Sequence, residues 1–167
     1  MSNVSKDKLI ETAINLEKEQ NFIAALLLGS CATIICSSLW GMFGYLAGLN
    51  VDFLYILVAP VIGYTVREAG KGLYVKYGFL AGILTCCTII LGEMMIGAVE
   101  GALYYKITPW EAFISQPFSE RWERYLRKQD ITEVGLLILG IAISVKFAFR
   151  KLSDLQTKAL STKKLLS

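Results

Sequence analysis

Glu93 is the residue whose chemistry stands out. It lies in an apolar stretch, LTCCTIILGEMMIGAVEG, where a bilayer-spanning helix would carry no charge. A carboxylate at the centre of a bilayer costs roughly 2.5–3.5 kcal/mol on insertion scales, and less when it has partners. If the segment enters the hydrocarbon near Tyr77, Glu93 lies about 24 Å along it, at 1.5 Å per residue, in the outer half of a ~30 Å core. Glu93, Gly97, Glu100 and Gly101 share a helical face, so the carboxylates should look towards a close-packed helix. Trp40, Tyr45 and Tyr55 reach comparable depth on their own segments and offer N–H or O–H donors to Glu93. No Lys or Arg is expected at that depth. Two readings follow: a proton- or cation-linked site, or a hydrogen-bonded packing carboxylate.

Other chemistries find less support. The chain has no histidine, which removes the commonest general base. Cys31, Cys36, Cys86 and Cys87 all fall inside apolar runs, where free cysteine acts as a small packing residue; neither a metal nor another cofactor is expected. There is no Gly-x-Ser-x-Gly motif and no phosphate-binding glycine loop, so no catalytic residue is named. Nucleic acid is not expected as a partner, because the basic residues form no dense patch. Arg67, Lys71 and Lys76 cluster in one turn; they could contact lipid headgroups or simply set topology.

The elements that must position these residues follow from the distribution of charge. The 167 residues are 54% hydrophobic, and residues 22–47 contain no Asp, Glu, Lys or Arg. A span needs roughly 20 such residues. The expected fold is all-α and integral to the membrane: a four-transmembrane-helix bundle with spans at about 22–47, 51–67, 77–101 and 131–149, and a structured external loop. The second span is short and contains Pro60, which removes a backbone donor. Asn50-Val51-Asp52 reads as a tight turn before it. Gly44/Gly48, Gly78/Gly82 and Gly97/Gly101 are small-xxx-small pairs suited to close helix approach. Ser30, Thr33, Ser37 and Ser38 can bond back to their own helix carbonyls.

Residues 1–21 hold an amphipathic helix, read either as a partner-binding or surface-lying segment or as a solvated extension running into the first span. Gly70 and Gly72 should terminate the second span and supply the freedom of the basic turn. In the loop, Thr108-Pro109-Trp110-Glu111 is a capping box with proline at the first helical position. Phe118, Trp122, Tyr125 and Leu126 then share one face of a helix whose other face is charged, so residues 108–129 should lie in the membrane interface. Asp130 to Glu133 starts the last span. Residues 150–167 form a basic tail into which that span could extend. With four spans, twelve of the seventeen Lys and Arg residues fall on the side of the termini and five opposite, so both termini should be cytoplasmic.

Residues 63–72, GYTVREAGKG, followed by Tyr77-Gly78-Phe79-Leu80-Ala81-Gly82, resemble the helix–basic turn–helix hairpin of uncharacterised bacterial multi-pass membrane domains, some joined to zinc-ribbon modules. This chain carries no zinc-ribbon cysteines near its N-terminus. The resemblance implies a bacterial inner-membrane protein and supplies neither activity nor site. The expected function is binding to, or assembly with, other membrane components or copies of itself, without enzymatic activity. The alternative is a small transporter or channel component working through Glu93.

Overall fold

A computed structural model describes residues 6–47, 54–128 and 130–166, without the side chains of residues 45, 47, 128, 165 and 166. The Asn50–Asp52 turn and Gly48 lie outside the described residues. The fold is all-α, with eight helices and no strand among those residues: α1 (Lys6–Lys18), α2 (Phe22–Ala47), α3 (Leu54–Gly70), α4 (Val75–Tyr105), α5 (Pro109–Ser115), α6 (Phe118–Lys128), α7 (Ile131–Ala148) and α8 (Asp154–Leu166). Three of them, α2, α4 and α7, are long and apolar enough to cross a membrane. The fourth expected span, α3, is shorter at 17 residues, with Pro60 inside it and Arg67 in its last turn.

Helices α3 and α4 pack against each other at the centre, and α2 and α7 flank them on opposite sides, each touching both. Small residues allow these approaches, because helices in lipid associate through packing rather than hydrophobic exclusion. A Cβ on Gly63 would strike the carbonyl of Ser144 and the Cβ of Phe147 on α7. Gly92 accepts the Trp40 ring, and Gly41 sits on Met95. The expected Gly78/Gly82 pair does face a helix: Val145 and Ile141 of α7, with Phe149 just beyond it.

Polar side chains stitch the same contacts. Ser37 and Ser38 both donate back to the Ile34 carbonyl, as expected, but Thr33 reaches across to the Leu84 carbonyl of α4, 3.5 Å away. Thr85 Oγ1 donates to Ser144 Oγ at 2.7 Å, and Ser144 donates onward to the Ala81 carbonyl at 3.1 Å; both side chains are fully buried. Thr85→Val should cost about 1 kcal/mol, the usual net worth of such a bond, with the shape retained. A lowered midpoint for thermal unfolding in detergent, with no change in helix content, would show it.

The turn between α3 and α4 departs from expectation. Neither glycine takes the left-handed conformation; Lys71 does, at φ 46°, with its N–H on the Arg67 carbonyl at 2.7 Å. Gly70 and Gly72 are needed for a different reason: a Cβ on either would collide with the ring of Tyr77, which is fully buried. That ring packs into the turn and closes the α3–α4 hairpin.

The terminal segments also differ from expectation. Helix α1 does not run into α2. The chain breaks at Glu19–Asn21, and Asn21 caps α2 by accepting the Ala24 N–H at 2.9 Å. Likewise α7 ends at Ala148 instead of extending, and the tail turns into α8. Rather than being a solvated extension, α1 packs Leu9 and Ala13 with Ala159 and Leu160 of α8 and also buries Leu16. The two chain ends are therefore side by side. Backbone bonds from Asn21 to the Gly70 carbonyl and from Arg150 to the Gly72 carbonyl, each 3.1 Å, tie them to the hairpin turn.

The connection between α4 and α7 follows its capping residues. Thr108 and Glu111 form the reciprocal capping box, with Thr108 N to Glu111 Oε2 at 2.9 Å and Glu111 N to Thr108 Oγ1 at 3.2 Å. Asp130 caps α7 by accepting the Glu133 N–H at 2.9 Å. Helix α4, with 31 residues, is about 46 Å long, well beyond a ~30 Å core. Both α5 and α6 fold back onto it.

Candidate intramembrane site and its outer cap

Three of the five residues expected at the intramembrane site meet. Tyr55 on α3 and Trp40 on α2 are each 1% exposed, with ring centroids 4.9 Å apart. The Tyr55 hydroxyl donates to Glu93 Oε1 on α4 across a long 3.5 Å. Trp40 does not donate to Glu93 as expected. Its ring lies on Gly92 and Tyr55, and its buried Nε1 has no hydrogen-bond partner among the described residues. Glu100 is exposed and stands apart. The Tyr45 side chain lies outside the described ones.

What the sequence reading missed is the contribution of α6. Glu93, Met94 and Gly97 of α4 line a cavity of about 20 Å³ together with Arg121, Arg124 and Tyr125 of α6. The expectation of no Lys or Arg at the depth of Glu93 is thus corrected: the segment between α4 and α7 brings Arg121 and Arg124 to the same cavity. A Cβ on Gly97 would sit 3.2 Å from Arg124 Nη1, and one on Gly101 would sit 3.1 Å from Gln116 Nε2. The Gly97/Gly101 face therefore receives the loop rather than another spanning helix.

The face assigned to the interface is also divided. Tyr125 is buried against α4 and Trp122 is half-buried, whereas Phe118 and Leu126 stay exposed. Arg121, one of the residues on the charged face of that helix, turns inward. Its guanidinium carbon lies 4.0 Å from the Phe113 ring centre, and its Nε and Nη1 are buried without a hydrogen-bond partner among the described residues. Burial pushes the Tyr125 phenol above its ordinary value, helped by the nearby Cys86, Glu93 and Glu133. The signal was present as spacing, since Arg121, Arg124 and Tyr125 fall at i, i+3 and i+4 on one helical face. Polarity alone assigned them wrongly, because long basic side chains lay their stems along apolar surface.

The arrangement can hold one water. A cavity needs about 10–15 Å³ for that, and this one offers about 20 Å³. Among the described residues no group of three or more His, Cys, Asp or Glu side chains is placed to hold a metal ion, and the four cysteines are free thiols.

At the opposite end, the basic turn is largely occupied by the chain's own acids. Arg67 pairs with Glu68 at 3.0 Å and covers the Tyr64 ring, and Lys71 lies 3.8 Å from Glu19. Lys76 is different: its ammonium sits among the rings of Phe22, Tyr74 and Tyr77, 5.3–5.8 Å from their centres. Glu19 also receives Arg150 at 2.8 Å, and Glu17 receives Lys163 and the Tyr74 hydroxyl. Hydrogen bonds from Lys163 and Tyr74 hold the Glu17 carboxyl below the usual carboxylate value, and Arg150 with Lys71 does the same for Glu19. No protein-family model, curated protein or solved structure matches the chain.

Proposed function

We propose that this is a non-enzymatic, four-span membrane protein that works by binding other membrane components, a partner protein or further copies of itself. The observation that carries this reading is the folded outer cap. Helices α5 and α6 dock on α4 and leave Trp110, Ile114, Phe118 and Leu126 more than half exposed. Apolar groups beside mixed charge suit an interfacial contact with lipid and protein together.

Four crossings, with α3 as the fourth, are supported by the pairing of α1 with α8, since an odd number would leave the two ends on opposite sides. At 17 residues α3 is at the short limit for a span. The lysine and arginine balance favours cytoplasmic termini. The likeness of residues 63–82 to bacterial multi-pass domains is what favours a bacterial inner membrane. Cross-linking in native membranes followed by mass spectrometry should recover adducts joining α5–α6 to a second chain. Recovery of monomer alone would end the proposal.

The alternative, a proton-linked transporter component, has one observation in its favour: Arg121 and Arg124 line the same cavity of single-water size as Glu93. Glu93→Gln in proteoliposomes should abolish proton uptake on this reading, and unchanged uptake removes it.

A further inference from the structure

We infer that α1 and α8 form an electrostatic latch: a two-helix unit that Glu19 holds against Lys71 and Arg150, and that anionic lipid headgroups release by competing for those two cations. The latch stands or falls independently of the cap and of Glu93. Among the described residues α1 packs on α8 and on no other helix, and α8 packs only on α1. Leu9, Ala13, Ala159 and Leu160 form a cluster of their own, separate from the two clusters of the bundle. Where the pair faces the α3–α4 turn there is a cavity of about 290 Å³, lined by Glu17, Leu73, Tyr74, Leu160, Lys163 and Lys164, in place of a continuous apolar seam.

What joins the pair to the bundle is polar. The Tyr74 hydroxyl donates to Glu17 at 3.0 Å, Arg150 pairs with Glu19 at 2.8 Å, and Lys71 lies 3.8 Å from the same Glu19 oxygen. The backbone N–H groups of Asn21 and Arg150 reach the Gly70 and Gly72 carbonyls. Lys163 bonds Glu17 within the pair and joins α8 to α1. The side chains of Glu19 and Lys71 are 43% and 52% exposed, so solvent ions and other anions can reach them. The competitor follows from the position of these groups. Phe22 opens α2, Val75 opens α4 and Ala148 closes α7, the ends of the three helices able to cross a membrane, and the two backbone bonds hold those ends together. Lys71, Lys76 and Arg150 therefore stand where the headgroups of one leaflet begin, a level at which basic side chains attract anionic lipid. Among the described residues Glu19 alone pairs with Lys71 and Arg150, and Lys76 meets only aromatic rings, which leaves a surplus of positive charge.

Hydrogen–deuterium exchange of the full chain in nanodiscs tests this, with rates corrected for intrinsic exchange. The amides of Asn21 and Arg150 report docking, and the amides inside α1 and α8 report the pair. At low salt, adding phosphatidylglycerol to phosphatidylcholine discs should speed the two docking amides about threefold, within the range for exposed ion pairs, while α1 and α8 keep their protection. Raising salt from about 0.01 M to about 1 M in phosphatidylcholine alone shortens the screening length from about 30 Å to about 3 Å and should release the pair in the same way. Glu19→Gln should show the released rates in phosphatidylcholine at low salt, with no further response to phosphatidylglycerol. Tyr74→Phe removes the other side-chain link but no ion pair; it should keep the lipid response, and it supplies the test if Glu19→Gln fails to fold. Inorganic phosphate at matched ionic strength should change nothing; an equal response to it overturns the headgroup as competitor and assigns the cations to a soluble phosphate. Docking amides that ignore both lipid and salt overturn the latch. So does loss of protection throughout α1 and α8, because the pair would then melt rather than undock.

Discussion

Trp40→Ala is expected to lower stability by about 3–5 kcal/mol, the range for deleting a large buried aromatic side chain. The ring is 1% exposed, stacks at 4.9 Å on Tyr55 and fills the notch over Gly92, so α2, α3 and α4 all lose a contact at once. The side chains that pack with it, Tyr55, Ile89 and Ile96, sit on helices α3 and α4 whose backbones fix their positions, so the space closes only in part. Trp40→Phe should lose much less, since it keeps a ring on Gly92 and gives up only an indole N–H that makes no bond among the described residues. Thermal unfolding in detergent, read by loss of helix signal, separates the two. Equal losses would mean that the indole N–H carries the contact rather than the packing described. The alanine variant should also free Tyr55 and loosen the Tyr55–Glu93 contact.

Gly63→Val is expected to have the next largest effect, destabilising by about 3 kcal/mol, the upper end for overpacking. The collision is with the Ser144 carbonyl and Phe147 Cβ, neither of which can rotate away. Helix α3 must then move from α7, and the buried Thr85–Ser144 pair beside that crossing should be disturbed. Gly135→Val, on the same α7 but with nothing within 4 Å, is the matched control and should cost nothing. If both variants unfold alike, the α3–α7 crossing is not a close backbone contact. Resistance to trypsin at the Arg67–Lys71 turn gives a second readout, because a displaced α3 exposes that turn.

Much of the local structure was legible in the residues themselves. The capping box at Thr108 and the cap at Asp130 depend on side-chain oxygens reaching backbone N–H groups three residues on, a contact defined by spacing alone. The uncharged run of residues 22–47 could only be a buried or membrane-spanning helix. The meeting of Trp40, Tyr55 and Glu93 followed from counting depth along three helices, because rise per residue converts sequence position into height.

Partner choice was not legible in the same way. An amphipathic α1 announces that it needs a mate, but nothing within residues 1–21 says that the mate is α8, more than a hundred positions away. The glycines at 70 and 72 read as turn residues, whereas their use is steric and depends on where the Tyr77 ring lands. Arg121 belongs to the charged face of its helix, and only the docking of α6 on α4 brings it to the cavity that Glu93 lines. Sequence by itself determined the all-α class of the protein, most of the helices, their caps and the place of Glu93 within a long apolar helix, because those rest on composition and on periodicity along a single helix. Tertiary structure alone decided which faces meet and so gave Glu93 its basic neighbours, because contacts between helices are set by rotation and loop return, which no local pattern encodes.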